Sequence, residues 1–179
     1  MRILTVVIKC FRKWKTCLNN QTVEPEVEPD SHALHLLLVK SAQRESFGKL
    51  ITIMEEGLIY EDAIKRFSKN QRTRWMKSLA GFVPFLDHNG LLRVGGRLEN
   101  SSTLSDEQKH PAFLPSRHKV TKMFIIDRHE KLAHRAAETM YVSLLNDMSL
   151  KPIAGIATVR HYLKDCFTCK LLRKTEPTN

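Results

Sequence analysis

Two short stretches, RHEKLAH at Arg128 to His134 and DCFTCK at Asp165 to Lys170, decide how the rest of the chain is read. They set His129 and His134 with four residues between them, then Cys166 and Cys169 with two between them, and thirty-one residues separate the pairs. Zn²⁺ favours four tetrahedral ligands, and a Cys-x-x-Cys bend supplies two thiolates from one short run of backbone. The two histidines supply the other pair, and the gap is long enough for a helical hairpin that brings the pairs together. Four protein ligands leave no open coordination position, so such a zinc site is structural rather than catalytic. The bland alternative is a chance Cys-x-x-Cys beside surface histidines in a chain with eight His. A redox Cys-x-x-Cys is the third reading, but no thioredoxin-like strand precedes Cys166.

Around this centre the sequence predicts helices. Ser116 is placed to cap one that runs through Val120, Phe124, Ile125 and Arg128 to His129. A second is expected over residues 136–145 with Met140, Leu144 and Leu145 inward. Pro152 and Gly155 then break the chain. A third, over residues 156–165, turns Val159 and Leu163 inward and delivers Cys166. Three short helices bury little, so a metal would supply a large part of this unit's folding free energy.

Upstream, the pattern is mixed. Residues 3–18 place Ile3, Val7, Cys10, Phe11 and Trp14 at helical spacing opposite Lys and Arg. TVEPEVEPD at residues 22–30 reads as an extended acidic linker. Leu34, Leu37, Leu38 and Ser41 or Ala42 predict a helix begun by Asp30 or Ser31. A separate helical stretch follows from about Phe47 to Glu56, stopped by Gly57. A weaker helix over 60–79 is interrupted at Ser68 to Thr73. The period then changes to that of a β-hairpin, with residues 82–86 and 91–94 flanking Asp87-His88-Asn89-Gly90. Gly95-Gly96 reads as a tight turn, since it lacks the context of a phosphate-binding loop. Residues 99–109 form a polar loop, and His110 to Pro115 a short extended segment bracketed by prolines.

Charge and cysteine usage set the remaining bounds. The 179 residues are 42% hydrophobic, enough for a modest core. The formal charge of +10 and a pI of about 9.6 favour polyanionic partners. Met1 to Asn20 holds five Lys/Arg and no acid, whereas Gln21 to Asp30 holds four acids and no base. From His110 onward twelve Lys/Arg face six Asp/Glu, and Lys119, Lys122, Arg160, Lys164, Lys170, Arg173 and Lys174 are the candidate nucleic-acid contacts. Their bland reading is a solvated face. Four cysteines are no disulfide scaffold, and with two of them given to zinc the usage is that of a reducing, intracellular protein, nuclear or cytoplasmic. The apolar run Ile3 to Ile8 is too short for a signal-peptide core or a membrane span, so no membrane partner is expected.

PFLDHNGLLRVGGRLENSSTLSDEQKHPAFLPSRHKVTKMFIIDRHEKLAH at residues 84–134, with VRHYLKDCFTCKLLR at 159–173, resembles the polyprotein of BEL/Pao-type retrotransposons. The similar segment links the ribonuclease H region to the integrase and runs through the integrase's His-His-Cys-Cys zinc-binding domain. Its landmarks are GLLRVGGRL at Gly90 to Leu98, KHPAFLP at Lys109 to Pro115, and the paired ligands. SAQRESF at Ser41 to Phe47 and the basic N-terminal segment are similar more loosely.

The resemblance implies a mainly α chain with a small β-hairpin and a C-terminal zinc-stabilised three-helix bundle of helix-turn-helix type. It divides the chain into a basic amphipathic helix (1–20), an acidic linker (21–30), a helical linker region with the hairpin (31–109) and the zinc-binding domain (110–174). It also implies self-association, or association with integrase, and a grip on DNA ends in an integration context. His129, His134, Cys166 and Cys169 carry over as ligands of one structural zinc. The family's aromatic segment between the ligand pairs and the Gly after its second His have no counterpart: this chain has Met148-Ser149-Leu150 and Arg135-Ala136-Ala137. Leu150 and Ile153 remain candidates for the core.

Strand transfer needs a carboxylate triad holding Mg²⁺ on a ribonuclease H-like core beyond the zinc domain. Only Glu176 follows Cys169, and no Tyr-x-Asp-Asp occurs, so the chain is expected not to be an enzyme. The competing expectation is a retained host zinc module for protein–protein contact, without nucleic acid.

Overall fold

The computed structural model describes residues 31–69, 76, 79–96 and 101–175, so the expected helix at 1–20 and the linker at 21–30 lie outside the described residues. The chain divides into two compact units, 1–38 and 39–179. The described residues are mainly helical, with one small sheet.

Helix α1 runs unbroken from Ser31 to Glu55. The sequence suggests two helices here, one with Ser41 or Ala42 still on its apolar stripe and one from about Phe47, with the polar residues 43–46 between them. The interruption is only chemical. Gln43 is fully buried, and its amide nitrogen donates to the carbonyls of Leu92 (2.9 Å) and Phe113 (2.8 Å) while its oxygen accepts from Leu92 N–H (2.8 Å). A polar residue thus continues the buried face by pairing with sheet backbone. Ala42 is buried beside it as expected, whereas Leu37, expected inward, is half exposed. Gly57, at φ +89°, ends the helical run.

Helix α2 (Tyr60–Lys65) is shorter than the expected 60–79 helix, whose interruption falls partly outside the described residues. The hairpin forms as anticipated: β1 (Phe85–Leu86) pairs antiparallel with β2 (Leu92–Arg93), joining Phe85 to Arg93 and Leu86 to Leu92. Asp87 shapes the turn, its carboxylate accepting from Asn89 and Leu91 N–H (both 2.9 Å) while Gly90 takes φ +70°. The same carboxylate pairs with Arg93 at 2.5 Å, both side chains being nearly buried.

Two further strands extend the hairpin. After helix α3 (Asp106–Lys109), opened by a Ser105–Gln108 capping box inside the expected polar loop, β3 (Ala112–Leu114) adds antiparallel to β2. Strand β4 (Leu150–Pro152) then adds parallel to β3, giving the order β1-β2-β3-β4. Thus the segment bracketed by prolines contains a buried strand, and of the stretch Met148-Ser149-Leu150 only Leu150 enters a strand, after a turn in which Ser149 takes φ +51°. Leu150 and Ile153 are buried as expected.

Helices α4 (Lys119–Lys131), α5 (Ala137–Asn146) and α6 (Ile156–Leu163) pack around Ile125, Met140, Leu144, Val159 and Leu163. Leu145 is only partly buried. A fourth helix, α7 (Phe167–Thr175), follows. The α4 cap is His118 rather than Ser116: its Nδ1 accepts from Val120 N–H at 3.1 Å, while Nε2 reaches Glu45 of α1 at 3.0 Å. A separate core lies between α1, α2 and the sheet, where Phe47, Leu50, Ile51, Tyr60, Leu92 and Phe113 meet Ile153.

Candidate metal centre

The spacing of the two histidines has a backbone cause. Helix α4 ends with Leu132 as its last half-helical residue, and the chain reverses through Ala133 (φ +50°) and His134 (φ +60°). His134 N–H donates to the His129 carbonyl at 2.9 Å, and Ala133 N–H to that of Glu130 at 3.1 Å. This pair of bonds is a Schellman motif, which brings together the residue two before the last helical one and the residue two beyond the cap. Those residues are His129 and His134. Their rings meet edge to face, centroids 4.6 Å apart.

The cysteines have an equally local cause. Cys166 N–H donates to Leu163 carbonyl at the end of α6, while the Cys166 carbonyl accepts from Lys170 N–H (both 3.1 Å), the first bond of α7. Cys166 is therefore the cap of α7, and Cys169 lies in its first turn. Unpaired N–H groups there favour the negative charge that two thiolates bring to a metal. Neither cysteine is in a disulfide.

Together these turns place one donor atom from each of the four residues within 4.8 Å of the others. His129 Nε2 lies 3.1 Å from Cys169 Sγ. His134 Nδ1 lies 3.3 Å from Cys166 Sγ and 3.8 Å from Cys169 Sγ. Zinc bonds of about 2.0 Å to nitrogen and 2.3 Å to sulfur put tetrahedral N and S neighbours about 3.5 Å apart. The donor set and its spacing fit such an ion. His129 is 2% exposed, and its pKa falls below the usual 6.5, chiefly through burial and then through the neighbouring His134. The neutral imidazole favoured there is the form that binds a metal. Its Nδ1 is buried without a hydrogen-bond partner, while Nε2 faces Cys169 Sγ.

The basic residues expected to touch nucleic acid separate into groups. Arg160 is paired with Glu138 at 2.5 Å and Lys170 with Asp165 at 3.1 Å. Lys119, Lys122 and Lys164 are exposed and form no ion pair among the described residues. The side chains of Arg173 and Lys174 lie outside those described. Lys122 and Lys164 line a cleft of about 510 Å³ that borders His129, His134 and Cys166.

Sequence reasoning missed Ala133, which holds the left-handed position of the Schellman turn, and Phe167, whose ring is 76% exposed at the cleft. The four-residue gap between the histidines was a usable signal for the first. For the second, no pattern in the sequence distinguishes an exposed Phe from a core one.

No protein-family model matches the chain, and comparison with curated proteins and with solved structures likewise returns no match. Among the described residues no helix is long and apolar enough to cross a membrane.

Proposed function

We propose that this chain is a non-catalytic zinc-binding module of the integrase N-terminal type, derived from a retroelement, which contributes to nucleic-acid binding and to association with itself or with integrase. The observation that carries the reading is the convergence of His129, His134, Cys166 and Cys169, each delivered by a helix end. The metal is one Zn²⁺, because two imidazoles and two thiolates suit its borderline softness and tetrahedral preference. Its part is to tie the end of α4 to the start of α7 around the small core of α4, α5 and α6, completing a zinc-stabilised bundle. Four protein ligands leave no coordination position for a substrate, which supports a structural rather than catalytic ion.

The nucleic-acid part rests on the net positive charge and on the unpaired Lys119, Lys122 and Lys164. Lysine–phosphate contact releases counterions, so affinity for duplex DNA should fall steeply with salt. Titrating the zinc-loaded chain with a labelled duplex at low and physiological salt tests this. Weak, salt-sensitive binding supports the reading; no binding even at low salt removes the nucleic-acid part and leaves the host protein–protein module.

A further inference from the structure

The cleft beside the metal centre pairs an aromatic face with cations. It is lined by residues of α4, α6 and the start of α7, among them Lys122, Lys164, Tyr162 and Phe167. Tyr162 is already engaged: its hydroxyl donates to the Ser116 carbonyl at 3.1 Å, and its ring meets His161 edge to face. Phe167 is different. It is 76% exposed, and it opens α7 between Cys166 and Cys169. Lys122 and Lys164 line the same cleft and form no salt bridge among the described residues, although Lys164, after Lys170, is close enough to lower the pKa of Asp165, and Lys119 lies one turn before Lys122 on α4. Two acids also line the cleft, Asp165 and Glu130; Asp165 is offset by Lys170 at 3.1 Å.

An exposed apolar ring beside exposed ammonium groups is the arrangement that single-stranded nucleic acid uses: bases stack on the ring and phosphates follow the cations. A base within a duplex is already stacked on both faces and offers Phe167 nothing. We propose that this cleft binds an unpaired nucleotide segment, with one base stacked on Phe167 and its flanking phosphates on Lys122 and Lys164. The proposal rests on the nucleic-acid reading above and sharpens its ligand from duplex to single strand.

The test is fluorescence anisotropy of the full zinc-loaded chain with labelled oligothymidylate and with a duplex of the same length. It compares the wild type with Phe167→Ala, Phe167→Trp and Lys122→Ala/Lys164→Ala, each checked for retained zinc. Oligothymidylate should bind more tightly than duplex. Phe167→Ala should weaken it roughly tenfold with the duplex unchanged, and Phe167→Trp should restore it. The double lysine variant should weaken both ligands and flatten the salt dependence. Equal affinity for the two ligands, unaffected by Phe167→Ala, would overturn the stacking site while leaving electrostatic binding in place. Binding of neither ligand at low salt would overturn both, and capture of an acidic peptide instead of either would assign the cleft to a protein partner.

Discussion

Ala133 shows what the convergence of His129 and His134 asks of the backbone. The turn that joins His129 to His134 requires a left-handed residue, where a Cβ is costly and glycine is at ease. Ala133 at φ +50° accepts that cost. Ala133→Gly should therefore stabilise the folded chain by about 0.5–1 kcal/mol, read as a higher denaturation midpoint; a loss of stability would mean that the alanine methyl packs against something essential. The four side chains that converge were legible in the sequence because the spacing a metal would require is the spacing that brings them together. The alanine was not, because nothing in its identity announces a left-handed turn.

Helices and strands were legible where apolar residues repeat cleanly. The hairpin turn at Asp87 to Gly90 and the inward faces of α4, α5 and α6 belong to this class. Helix α1 was not legible as one helix because its buried face passes through a polar residue, Gln43, which pairs with Leu92 and Phe113 backbone. Gln43→Leu should cost roughly 2–4 kcal/mol, since it strands buried backbone groups of two strands. Urea denaturation measures this, and a neutral effect would show that the sheet finds other partners. The parallel β3–β4 pairing was equally hidden, as it joins residues 38 apart through side-chain patterns too short to have a period. Gly95 states a related constraint. A Cβ there would lie 2.5 Å from the Val83 carbonyl oxygen, so Gly95→Ala should distort the approach to β1 and lower the melting temperature.

At the scale of the molecule, strand β4 ties the two cores of residues 39–179 together. It lies between the ligand pairs in sequence, pairs with β3, and is followed directly by Ile153 in the core under α1. Chelation should therefore release α4, α6 and α7 while α1 keeps its Gln43 clamp and its apolar core, a gradient that hydrogen exchange would resolve. Everything in this arrangement depends on whether the four converging side chains hold an ion. Elemental analysis of the chain purified without added metal, alongside its Cys169→Ser variant, tests that most directly. About one zinc per wild-type chain and little or none in the variant is the expected result, since a four-ligand site that loses a thiolate loses most of its affinity. A wild-type chain without metal, or a variant that keeps its full complement of zinc, would contradict the account.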